Sequence, residues 1–179
     1  MIRSTIVFAL SNFPLTFFIV GLIAAALSLL FHRAQRSRAQ VREEVFAYFL
    51  LFPLGISFLY NFVMHVFWGD MTARSIGWPD SPFQAELGFA CLGFAYVAFL
   101  AFRGSHGLRI GAVVGPSIFL LAAAARHIRQ MIVDRNFAPG NAGVVFYMDI
   151  VIPLVGLILL GLEGRDMRAG AAGESPIAA

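Results

Sequence analysis

Five long runs in which almost every residue is apolar constrain this chain more than any other feature, at residues 13–31, 45–68, 82–102, 110–133 and 144–162. About 20 consecutive apolar residues cross a hydrocarbon core as a helix rising about 1.5 Å per residue. Each run is apolar around its whole helical circumference, as a lipid-facing helix must be. Strands of a membrane barrel would instead alternate polar and apolar residues over ~10 positions, and no such alternation is visible. The expected fold is therefore all-α, a polytopic bundle of five transmembrane helices over residues 1–163 with a flexible tail at 164–179.

Composition excludes the alternatives. Of 179 residues, 59% are hydrophobic and 13% charged, against about 25% charged in soluble domains. A water-facing globule would lack surface polarity, and a disordered chain would not carry so much apolar material. The first run is longer than the apolar stretch of about 7–15 residues in a secretory signal and is expected to remain as a helix. Residues 2–12 either extend it or form a short interfacial helix.

All thirteen basic residues are arginines, and their placement gives an orientation. One side of the membrane receives eight, at Arg33, Arg36, Arg38, Arg42, Arg103, Arg109, Arg165 and Arg168. The other receives three, Arg3, Arg74 and Arg135, while Arg126 and Arg129 lie inside a span. Arginine-rich loops stay in the cytoplasm, so the N-terminus is expected outside and the C-terminus inside. The arginines are dispersed and not interleaved with exposed aromatics, which excludes nucleic acid as a partner. Cys91 is the lone cysteine, so neither an internal disulfide nor a cysteine metal cluster can form, and its apolar surroundings suit a packing residue. Gly111 and Gly115 form a G-x-x-x-G that would admit a neighbouring helix. Pro53, Pro116 and Pro153 each remove a backbone donor inside a span.

An ionisable side chain in a span costs about 2.5–3.5 kcal/mol even on a lenient scale, so it should face a partner or a wet cavity. Here such residues gather at one depth. His65, Glu86, His127 and Asp149 all fall roughly 5–12 Å below the outer boundary, and the inner halves of these spans carry almost nothing ionisable. Asn61, His65 and Trp68 share one face of the second helix, within about 40°. Arg126, His127 and Gln130 share an arc of roughly 100° on the fourth, with Arg129 at its edge. The expectation is a polar pocket near the outer face built from Asn61, His65, Glu86, Arg126, His127, Gln130 and Asp149.

Two outer loops read as structured. Ser81 as N-cap, Pro82 as first helical residue and Gln84 as capping-box partner would fix the start of the third span. The segment Asn136-Phe-Ala-Pro-Gly-Asn-Ala-Gly143 suggests a defined turn, with Asn141 as cap of the fifth. Asn61 and His65 as N-x3-H, Gly77-Trp78-Pro79, Ser81-Pro82-Phe83-Gln84 with Glu86, and Asn136-Phe137 through Gly140-Asn141 resemble a family of small bacterial multi-pass membrane proteins with no assigned activity. The resemblance extends over most of the chain except the tail. The arrangement is also similar to that of DoxX-like membrane proteins. It implies a bacterial inner-membrane location and no particular mechanism.

Three functions suit these residues. His65, Glu86, His127 and Asp149 form an oxygen–nitrogen donor set for zinc, iron or manganese, or the pocket takes a small ligand. No Glu-x-x-His or His-x-x-x-His pair occurs, so metal ligands would have to meet through tertiary packing. Alternatively the chain is a scaffold or accessory subunit, with further copies of itself or a membrane complex as partner besides the bilayer. Its polar cluster would then only join helices: His65 to a carboxylate, Arg126 to Asp149 or Glu86. Arg129 would snorkel to the interface, Trp68, Trp78 and Tyr147 would pack or sit in the interfacial belt, and His32 and His106 would be solvated. A third reading is an acid–base enzyme acting on a lipophilic substrate, with Glu86 or Asp149 as acid/base and the histidines moving protons. No G-x-S-x-G elbow or phosphate-binding loop is present, so nucleophilic and nucleotide chemistry have no support.

Overall fold

Helices α1 (Ile2–Ser11) and α2 (Phe13–Phe31) meet at Asn12. There the side chain of Asn12 donates to Phe8 O (2.9 Å) and the Thr16 hydroxyl to Ala9 O (2.8 Å), which keeps the break hydrogen-bonded. α1 is thus a separate short helix, and it buries no side chain. The structure, a computed structural model, describes residues 2–31 and 37–173. His32, Arg33, Arg36 and the end of the expected tail, 174–179, lie outside the described residues.

The second long helix starts at Ser37, whose hydroxyl accepts from Gln40 N (3.2 Å) while the Gln40 side chain accepts from Ser37 N (2.9 Å). This reciprocal capping satisfies two orphan donors. It comprises α3 (Arg38–Phe49), a π-helical stretch Leu50–Ile56 and α4 (Ser57–Phe67). Pro53 lies in the π-helical stretch. Its ring crowds the carbonyl four residues back and it has no N–H to offer, so the ladder slips to wider spacing there. The slip resets the facing of α4, which buries Ser57, Phe58 and His65.

A helix that sequence patterning did not suggest, α5 (Gly69–Ile76), follows in the loop. It ends at Gly77, whose φ of 78° is the left-handed cap that favours glycine. The remaining elements are α6 (Phe83–Ala101), α7 (His106–Val133), the single turn α8 (Pro139–Ala142) and α9 (Val144–Gly173). Among the described residues every regular element is helical, and five helices are long and apolar enough to cross a membrane. Two of them outrun expectation. The second begins at Arg38 rather than 45, and the fifth is helical to Gly173 rather than ending at 162.

α6 packs against α4 and the π-helical stretch along a buried stripe of small residues, Gly88, Cys91, Ala95, Ala98 and Ala101. A Cβ at Gly88 would stand 2.6 Å from Val66 Cγ2 and 3.2 Å from His65 Cβ, so the absence of a side chain there brings His65 against α6. The expected approach at Gly111 and Gly115 does not occur: Gly111 borders open space and Gly115 only meets the Phe94 ring at 3.7 Å. Phe58, Phe94 and Phe119 join α4, α6 and α7, with ring centroids 5.3, 5.6 and 6.1 Å apart. Pairs of this kind contribute about 0.5–1.5 kcal/mol beyond area burial.

At one end of the bundle the charged residues of α3, α6–α7 and α9 interlock. Arg109, 3% exposed, meets both oxygens of Glu43 (2.6 and 2.7 Å) and also Glu163. Its Nε donates to Ala101 O (3.2 Å). Arg103 forks onto Glu44 (both 2.9 Å), and Arg42 reaches Asp166 (2.6 Å). The Glu44 carboxylate, as hydrogen-bond acceptor, holds the Arg103 guanidinium above its ordinary pKa. His106 is not solvated as expected: its Nδ1 lies 2.6 Å from Glu163 Oε2 and its side chain is mostly covered. The expectation that this end holds little ionisable material is corrected, because the early start of α3 carries Glu43 and Glu44 onto the helix.

Candidate functional site

The opposite end encloses a half-open cavity of ≈ 1430 Å³ between α2, α4, α6, α7 and α9. Its floor is apolar, with Pro53, Phe58, Phe119, Leu120 and Ile152. Its walls include Asn61, His65, Gln84, Arg126, His127 and Asp149. Six of the seven expected pocket residues border it or, for Glu86, stand at its rim; Gln130 lies behind the wall.

His65, 5% exposed, donates from Nδ1 to Gln84 Oε1 at 2.5 Å. Gln84 is therefore not a capping-box partner, and α6 starts after Pro82 with no side-chain cap. Its amide is committed to α4 instead. Glu86, two residues on and so about 200° around the helix, is exposed and makes no ion pair among the described residues. Gln84, buried on the face towards α4, occupies the place that the expected carboxylate would have filled.

His127, 6% exposed, holds Nδ1 2.6 Å from Asn141 Oδ1 and Nε2 3.6 Å from Asp149 Oδ2. The fully buried Asn141 donates from Nδ2 to Asn136 O at 2.8 Å, so it does not cap α9 as expected. Asn136 in turn donates to Ile76 O (2.9 Å) and accepts from Ala138 N (3.1 Å). Gln130 accepts from the Trp78 indole at 2.6 Å. A Cβ at Gly77 would stand 2.6 Å from Asn136 Oδ1, so the two loops meet where only glycine fits. The result is a continuous chain of neutral hydrogen bonds from α5 through both loops to His127.

Asn61 lines the cavity wall, and Cys91 is fully buried and does not. Arg126 and Arg129 are exposed, and among the described residues Arg126 pairs with neither Asp149 nor Glu86. The expected zinc, iron or manganese donor set is likewise not assembled. Among the described residues no three His, Cys, Asp or Glu side chains converge. His127 and Asp149 approach each other, but neither His65, bound through Nδ1 to Gln84, nor the exposed Glu86 joins them.

Sequence reasoning missed Gln84, Trp78, Asn136 and Asn141 as site residues, reading them as cap, belt and turn. Their signal lay in the clustered Gly-Trp-Pro and Asn-Phe-Ala-Pro-Gly-Asn strings, whose polar side chains exceed what two short turns need.

The chain belongs to a family of unknown function, DUF6790, matched over residues 11–169. The match takes in the five long helices and both loops of the site. No curated protein and no solved structure matches the chain.

Proposed function

For this member of that family, we propose a multi-pass protein of the bacterial cytoplasmic membrane that binds a small amphiphilic organic molecule in the cavity. The carrying observation is a volume of ≈ 1430 Å³ that joins an apolar floor to a wall bearing His65, Gln84, His127 and Asp149, all more than nine-tenths buried. Ligand pockets of about 300–1,000 Å³ have the same design, mostly apolar with a few placed polar groups. Buried polar side chains in an apolar bundle are expensive, and a polar ligand head gives them a use beyond joining helices. The arginine asymmetry supports an N-terminus outside and a C-terminus in the cytoplasm, so the cavity faces the outer side.

Ala123 on the cavity wall supplies the test. Wild type purified in lipid nanodiscs is expected to release an amphiphile of defined mass in native mass spectrometry, and Ala123→Trp, which projects a bulky ring from the cavity wall, is expected to retain less of it. Equal release of bulk lipid alone from both would contradict the proposal. That outcome would favour a scaffold, a reading supported by the closed hydrogen-bond chain from Trp78 to His127.

A further inference from the structure

The hydrogen-bond pattern around the cavity deepens the binding reading, on which it rests, by specifying the ligand's head group. Asn141 donates from Nδ2 to the Asn136 carbonyl, so its Oδ1 is the atom that faces His127. An amide oxygen only accepts, which puts a proton on His127 Nδ1 and leaves the lone pair of the neutral ring on Nε2. His65 is held in the same manner, with Nδ1 on Gln84 Oε1 and Nε2 left over. Asp149 approaches His127 Nε2 only to 3.6 Å, too far for a direct hydrogen bond.

None of these remaining atoms is sealed in. Among the described residues Arg42 Nε is the one buried side-chain nitrogen or oxygen without a partner. His65 Nε2, His127 Nε2 and the Asp149 oxygens are therefore reachable from the cavity that all three residues line. Each of the two imidazole nitrogens acts as an acceptor, and Asp149 offers at least one acceptor oxygen whether or not it carries a proton. The cations on the wall do not reverse this pattern. Arg74 is occupied by Asp70 at 2.7 Å, and Arg126 is one exposed cation, without an ion pair among the described residues, set against three buried acceptor side chains.

We propose that the cavity selects an amphiphile whose head donates hydrogen bonds, a primary amine or a hydroxyl, and rejects one with a carboxylate head. An amine or alcohol donates to His127 Nε2 and Asp149 across their 3.6 Å gap, with the apolar tail on Phe58, Phe119 and Ile152. A carboxylate head would bring acceptor against acceptor at His65 Nε2 and His127 Nε2 and supply no donor in return.

Binding of dodecylamine, dodecanol and dodecanoate to the full chain in nanodiscs, read from the fluorescence of the cavity residues Trp68 and Trp78, tests the selection. Dodecanoate is expected to bind at least about tenfold more weakly than the amine, the factor associated with one charge-assisted hydrogen bond. Asp149→Asn is expected to weaken the amine about tenfold and to spare or improve dodecanoate. Equal affinity for the three heads, or a preference for dodecanoate, would overturn the head-group inference and leave the cavity reading standing. Saturable binding of none of them would overturn both. Should Asp149→Asn fail to insert, the order of the three heads on wild type decides alone.

Discussion

The two ends of the bundle hold their polar side chains in opposite ways. At the charged end Arg109 is surrounded by Glu43, Glu163 and a backbone carbonyl, with the Phe46 ring 5.2 Å from its guanidinium carbon. Its donors are spent on the protein. At the cavity end amides and imidazoles replace ions, and each histidine keeps one nitrogen uncommitted. The difference separates stability from function. The saturated Arg109 cluster joins α3, α7 and α9, whereas partly saturated neutral groups beside a void are arranged for something that enters it.

The largest expected effect follows from breaking the ionic end. Arg109→Met removes the buried cation shared by Glu43 and Glu163, leaving Glu163 with His106 alone, and is expected to cost up to about 3–5 kcal/mol, measured as chemical unfolding in detergent or nanodiscs. A loss below about 1 kcal/mol, as for exposed ion pairs, would contradict the contrast between the two ends. Next is Gly77→Ala, which forces a side chain into a left-handed cap and against Asn136. Backbone strain of this kind costs roughly 1–3 kcal/mol, and Trp78 fluorescence should shift as its bond to Gln130 is released.

Asn141→Leu sharpens the comparison from the cavity side. It removes the acceptor for His127 and the donor for Asn136, with an expected loss of about 1–3 kcal/mol and weaker ligand binding. Unchanged stability would mean that the loop network is not what positions His127. Smallest is Arg74→Ala, an exposed i,i+4 pair with Asp70, expected to change stability by less than about 0.5 kcal/mol. Arg103→Gln adds a pH arm. A base with a raised folded pKa stabilises below its unfolded pKa and loses that contribution only as pH rises through the folded one, here far into the alkaline range. Its effect should therefore be the same at about pH 8 and about pH 10.

The helices were legible because lipid imposes one requirement on every residue of a span, and the apolar run of 13–31 meets it without interruption. His65, His127 and Asp149 were legible for the converse reason: polarity is costly there and stands out. Glu86 stood out equally and is exposed, because composition registers that a carboxylate is present but not which way it faces. Whether residue 84 or 86 meets α4 depends on helix phase and on the close approach at Gly88. Gln84 and Asn141 were hidden by local motifs that explain them equally well as caps. Arg109 was hidden because its partners Glu43 and Glu163 are 66 and 54 residues away in the chain.

Accessibility of the cavity floor tests the central claim most directly. Ser57 lines the cavity, while Cys91 is fully buried in the packing between α4 and α6. In Ser57→Cys, a membrane-permeant maleimide is expected to label Cys at 57, to leave Cys91 untouched, and to be blocked by dodecylamine. Position 57 as inert as Cys91, or labelled equally with and without the amine, would contradict a ligand-accepting cavity.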